Sequence, residues 1–188
     1  MRSSPLPLLL VLALGSLSAP ALASYNLVSN GNFDDGLVNW SQSGNWTNYD
    51  FVTSTKELAL GNYEWQGVAG VTQVLPTQSG KQYTISLLWN ASSSNQYSSP
   101  MQTLQVLWNG SILGRIDNSP AARGTLSFSA LATGNDQLTV QGFSHYGYNY
   151  VDNISVTSAV PEPESYAMLM LGLGLSTALL RRKRQQAR

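Results

Sequence analysis

A period of two in hydrophobicity constrains this chain more than any other feature. In "KQYTISLLWNAS" (81–92), Tyr83, Ile85, Leu87 and Trp89 fall on one parity and Thr84, Ser86 and Asn90 on the other. That alternation belongs to a strand with one buried face. "TLQVLWNG" repeats it with Leu104, Val106 and Trp108, then ends at Asn109-Gly110, a dipeptide suited to the positive φ angles of a two-residue hairpin. Further strands are expected at 124–131, 137–144 and 150–157, with earlier ones near 26–29, 49–54 and 70–75. No intervening stretch has the period of an amphipathic helix. Eight or so strands spaced by roughly ten residues predict an all-β, antiparallel jelly-roll β-sandwich.

Both ends of the chain differ from this pattern. The N-terminus has Arg2, an apolar run from Leu6 to Leu17 and the small-x-small site Ala21-Leu22-Ala23, which together predict a secretory signal peptide over 1–23. The C-terminal "VPEPESYAMLMLGLGLSTALLRRKR" opens with Pro161-Glu162-Pro163, where two prolines remove backbone donors and favour extended, accessible chain. An apolar stretch follows over 165–180, and then the basic cluster Arg181, Arg182, Lys183 and Arg184. As a helix the stretch would be about 24 Å long, and with snorkelling arginines it is expected to cross the membrane, basic end inside. The expected division is therefore a signal peptide at 1–23, a β-sandwich domain at 24–159 and a sorting segment at 160–188.

The formal net charge of zero conceals an asymmetry. Between the two ends stand Lys56, Lys81, Arg115 and Arg123 against Asp34, Asp35, Asp50, Glu57, Glu64, Asp117, Asp136 and Asp152. Eight acids against four bases make a poor partner for nucleic acid, whose affinity comes largely from Lys and Arg. The chain has no cysteine, so thiol catalysis, thiolate metal sites and disulfide bonds are excluded.

The tail resembles the PEP-CTERM sorting signal in the order and spacing of its three parts. That resemblance implies an exosortase-like processing enzyme as partner, a transient stay of the C-terminal helix in the membrane, and delivery to the cell surface or extracellular matrix. "NLVSNGNFDDGLVNWSQSGNW" (26–46) and "YVDNISVTS" (150–158) resemble the opening and closing motifs of the galactose-binding-like β-sandwich, the fold of many carbohydrate-binding modules. This second resemblance spans nearly the whole interior and implies that the two motifs lie together. It also implies a structural calcium ion held at Asp34 and Asp152, whose oxygen ligands suit that metal.

Asp152 raises a question without any resemblance. It shares parity with Tyr150, Ile154 and Val156, so an unbroken strand would turn its carboxylate into the core, which is costly unless compensated. A metal ion would compensate it, and so would hydrogen bonds from a turn or strand bulge.

Aromatic residues supply the other candidate chemistry. Trp89 and Trp108 lie on core parities, whereas "GNYEWQG" (61–67) and "HYGYNY" (145–150) place Tyr63, Trp65, Tyr146 and Tyr148 among Gly, Asn and Gln. Such rings can stack on sugars while amide neighbours bond the hydroxyls. They can equally cap the ends of a sandwich. With Trp65 as platform and Tyr148 as its companion, Asn62, Gln66 and Asn149 are the expected hydrogen-bonding neighbours. Catalysis has little support: His145 is the only histidine, no nucleophile elbow accompanies it, and Glu57 with Glu64 is an arbitrary glycosidase pair. The sequence therefore predicts an exported, non-catalytic surface or matrix protein that binds exopolysaccharide. The alternatives are an adhesive matrix protein without a sugar pocket, and a small polysaccharide hydrolase or lyase.

Overall fold

A computed structural model describes residues 25–91, 102–117, 122–145, 147–158 and 170–174. Ser24–Val160 form one compact unit made of two five-stranded antiparallel sheets. One has the order β1 (Ser41–Gly44), β4 (Ala69–Leu75), β9 (Asp136–Ser144), β6 (Gln102–Trp108) and β7 (Ser111–Asp117). The other runs β2 (Asp50–Val52), β3 (Leu58–Leu60), β10 (Asn149–Ser158), β5 (Gln82–Ala91) and β8 (Ala122–Leu131). The all-β antiparallel sandwich expected from the alternation is present.

The alternation works as physics requires. Tyr83, Ile85, Leu87 and Trp89 of β5 turn inward to meet Leu104, Val106 and Trp108 of β6, and all are buried. Each fully buried apolar side chain of this size stabilises the fold by about 1.5–3 kcal/mol. Asn109 and Gly110 turn the chain between β6 and β7 with φ angles of 50° and 78°, as the Asn-Gly signal anticipates.

The opening and closing motifs do lie together. Asn26 bridges Thr157, the Asn26 Oδ1 accepts the Val156 N–H at 2.8 Å, and the Ile154 N–H donates to Gly31 O at 2.9 Å. A side chain at Gly31 would place its Cβ 2.0 Å from Ile154 O, so this close approach requires glycine. Phe33 is fully buried and stacks on Trp40 at 5.6 Å, and the Trp40 indole donates to Asn30 O at 2.9 Å.

Two expectations need correcting. The segment 26–29 forms no strand but a single bridge: the Asn26 Oδ1 takes the Val28 and Val156 N–H groups, and the Asn30 amide turns to Gly36 O and Val38 O. The membrane-spanning helix expected over 165–180 is also overturned. Among the described residues only 170–174 are helical there, and no helix is long and apolar enough to cross a membrane. Gly172 and Gly174 weaken helix propensity at the spot. The rest of that stretch lies outside the described residues, as do the signal peptide, Pro161-Glu162-Pro163 and the basic cluster 181–184.

Candidate functional site

The most distinctive surface lies where β2, β3, β9 and β10 end together. After β3, the chain makes one 3-10 turn, Glu64–Gln66, which the Gln66 Oε1 secures by accepting the Tyr63 N–H at 3.0 Å. The turn closes at Gly67, whose φ of 80° suits glycine. Because it is tight, residues two apart stack: the Tyr63 and Trp65 rings are parallel, 4.4 Å between centroids and 5° between planes. His145 from the end of β9 stands edge-on to both, at 4.9 and 5.1 Å. Its Nδ1 is hydrogen-bonded to Glu64. Tyr49 meets Tyr63 edge-on at 5.4 Å. Trp65 is 67% exposed although Tyr63 and His145 both pack against its ring.

Buried polar groups hold this platform from below. Asn62, with no exposed surface, accepts from the Thr47 hydroxyl, donates to Asn45 O, and through its own carbonyl accepts the Ser144 N–H at 2.8 Å. Asp50, only 3% exposed, accepts the Thr47 N–H at 2.9 Å and the Gly61 N–H at 3.2 Å. Burial pushes the Asp50 carboxyl above its ordinary range, against the pull of the Thr47 and Gly61 hydrogen bonds. For Glu64, slight burial acts upward, but the bond and charge of His145 hold its carboxyl below the usual range.

Trp65 and Tyr63 are thus brought together, but Tyr148 is not Trp65's companion. It lies over Gly61, where a Cβ would come within 2.5 Å of its ring, and it meets Phe51 edge-on at 5.5 Å and Tyr150 at 5.7 Å. Tyr146 lies outside the described residues. Asn62 and Asn149 are not free to bond a ligand either. Asn62 is spent as described, and the Asn149 amide donates to Thr103 O and Phe143 O at 2.9 Å each. The sequence does not show this, because both side chains point between elements that meet only in the folded chain. His145, dismissed as a catalyst, serves instead as an edge-on buttress. Glu57 and Glu64 have separate partners: the Thr55 hydroxyl donates to Glu57 at 2.9 Å, while Glu64 binds His145.

Asp152 does not point into the core. A bulge shifts register between Asp152 and Ser155, with Asn153 at φ 49°, so Ile154 and Val156 turn inward while Asp152 stays on the outer face. Its carboxylate accepts the Asn153 N–H at 2.7 Å and the Asn153 side-chain amide at 3.0 Å. Burial, and after it the like charges of Glu57 and Asp34, raise the Asp152 pKa against the Asn153 bond. Asp34 accepts from the Asn32 amide, and the Lys56 ammonium donates to its carbonyl at 2.9 Å. Calcium takes six to eight oxygens. Two carboxylates beside an ammonium are a thin set for that ion, and among the described residues no three His, Asp or Glu side chains form a group able to hold a metal.

Comparison with known proteins bears on both the tail and the sandwich. Residues 159–184 match the PEP-CTERM protein-sorting motif. Among curated proteins, none matches the sequence. Among solved structures, the TmCBM61 module in complex with β-1,4-galactotriose is similar with a TM-score of 0.51 at 12% identity, over 71% of this chain and 98% of its own. A CBM4 structure gives 0.48 at 18% identity, over 69% and 98%. The N-terminal cellulose-binding domain of Cellulomonas fimi β-1,4-glucanase C gives 0.46 at 25% identity, over 73% and 99%. The chain therefore carries a PEP-CTERM sorting motif, and its β-sandwich shares the fold of the TmCBM61 module.

Proposed function

We propose that the protein is an exported, non-catalytic binding module, sorted through its C-terminal motif by an exosortase and holding polysaccharide at the cell surface or in the extracellular matrix. One observation carries the binding reading: Trp65 is exposed yet held in place, stacked on Tyr63 and buttressed by His145. A flat indole fixed before the ligand arrives loses little conformational freedom on binding, which favours affinity. Sugar rings present apolar C–H faces and equatorial hydroxyls, and the Glu64 carboxylate, held by His145 beside the platform, can accept from the latter. The fold shared with the galactotriose-bound module supports the same class of ligand.

The test compares Trp65→Ala with Trp89→Ala in the Ser24–Val160 unit, whose sheets and core are complete. Retardation in polysaccharide-containing gels and thermal melting are measured for both. Trp65→Ala is expected to abolish retardation while shifting stability by less than about 1 kcal/mol. Trp89→Ala, in the core, is expected to cost about 3–5 kcal/mol. Equal melting losses in the two variants would make Trp65 a packing residue, and absence of retardation by every polysaccharide would favour an adhesive matrix protein.

A further inference from the structure

The outer face of the β2–β3–β10–β5–β8 sheet has a side-chain pattern that the Trp65 platform does not use. Register places Phe51, Ala59, Tyr150, Asn90 and Arg123 in one row across all five strands. The next outward row contains Asp152, Leu88 and Thr125. Aromatic rings fill one side: Phe51 and Tyr148, then Tyr148 and Tyr150, lie within 5.7 Å of each other. Ala59 and Gly61 are the small residues of β3 and its exit, and they leave room for those rings. The other side is a cavity of about 300 Å³, walled by Tyr150, Asp152 and Glu57 and by Asn90, Arg123 and Thr125, with the exposed Leu88 between them.

Apolar rings beside hydrogen-bonding groups of both polarities make an unusual solvent-facing sheet. Phe51 and Leu88 are exposed, yet they are bordered by an amide, a guanidinium and two carboxylates and do not form one greasy patch. A protein partner that buried this face would have to desolvate three charges. A pyranose chain has alternating C–H faces and hydroxyls that satisfy both kinds of group without a charge of its own. The face is also continuous with the platform. Tyr49 touches Tyr63, Tyr148 covers Gly61 beside the Tyr49 backbone, and from Tyr148 the rings lead through Tyr150 to the cavity.

We infer that this sheet face is a second saccharide subsite, which takes the continuation of a neutral polysaccharide strand held at Trp65, with Tyr150 as the stacking ring and Asn90 and Arg123 as its hydrogen-bonding rim. The inference rests on the platform reading and adds two properties to it. Binding strengthens with chain length, because one strand fills two subsites joined by its own backbone. Acidic glycans are disfavoured, since Glu57 and Asp152 outnumber Arg123 in the cavity.

Calorimetric titration of the Ser24–Val160 unit with cello- and β-1,4-galacto-oligosaccharides of two and six units tests this, with oligogalacturonates as the charged comparison. The neutral hexasaccharide is expected to bind about tenfold more tightly than the disaccharide, the oligogalacturonate more weakly than either. Tyr150→Thr keeps a strand-favouring residue, and Arg123→Ala removes an exposed side chain. Each is expected to erase most of the length advantage and leave the disaccharide affinity unchanged. Equal affinity for two and six units, or a full length advantage in both variants, would overturn the second subsite while leaving the Trp65 platform standing. No binding of any probe would overturn both. A dimer that Tyr150→Thr or Arg123→Ala dissociates would also overturn it, by giving the face to a second copy of this chain.

Discussion

The β4–β9 ladder has two ends that solve the same problem differently. At the end where Leu75 pairs with Asp136, a fully buried carboxylate gathers donors from small residues. Thr133 gives its N–H at 3.0 Å and its hydroxyl at 2.6 Å, Gly134 gives its N–H at 3.3 Å, and Thr77 and Asn109 give side-chain bonds. At the end where Ala69 pairs with Gly142, Asp50 is almost as buried but has fewer donors. Burial raises the pKa of both acids. At Asp136 the Thr133, Thr77 and Asn109 bonds overcome it and hold the carboxyl well below the ordinary range, whereas at Asp50 burial prevails. One end is therefore a structural knot with its polar groups spent. The other keeps Trp65 outside, where it can meet a ligand.

The comparison would break most visibly if the knot proved dispensable. Asp136→Ala leaves several buried donors unsatisfied and is expected to cost about 3 kcal/mol, or roughly 10 °C in melting temperature. A loss below 1 kcal/mol in chemical denaturation would show that Asp136 ties nothing together.

The pH dependence sharpens the contrast between the two acids. A carboxyl depressed in the folded state contributes stability that is present above its unfolded pKa and lost as pH falls through the folded one. For Asp136 that loss therefore lies below the ordinary value of 3.8. A raised carboxyl does the reverse, and for Asp50 the contribution is full below 3.8 and fades as pH rises through its folded pKa. Between pH 6 and pH 3, Asp136→Asn should lose less stability than the parent, and Asp50→Asn should lose more. Shifts of the same sign in the two variants would contradict the opposite environments drawn here.

Calcium is expected to give the smallest effect. With Lys56 donating at Asp34 and Asn153 bonding Asp152, a chelator should move the melting temperature by no more than about 1 °C. A drop of about 4–8 °C would reveal an ion whose Kd lies well below its concentration and would support the metal reading of Asp34 and Asp152.

Local pattern determined a good deal. Alternation at Tyr83, Ile85, Leu87 and Trp89 fixed the inward face of β5, and Asn109-Gly110 fixed a hairpin, since both are properties of a few adjacent residues. The tail's order of Pro-Glu-Pro, apolar stretch and basic cluster likewise declared a sorting motif from residues alone. β1 and β3 were invisible. Ser41–Gly44 is a polar edge with no apolar parity, and Leu58–Leu60 is a three-residue strand buried on both sides, so neither shows a period.

What only the tertiary structure decided concerns irregular backbone and side chains whose partners carry no sequence period. Parity assigned Asp152 to the core, but the bulge at Asn153, bonded to Asp152 itself, reversed its face. Asn62 and Asn149 read as surface amides until Thr47, Asn45, Thr103 and Phe143 arrived to claim them. Trp65 was recognisable in the sequence as a loop aromatic, but its rigidity depends on His145, eighty residues later in the chain. A strand's inward face follows from its own residues because the pleat has a fixed period of two. The partner of a loop side chain has no period, and it is set only when the two sheets close on one another.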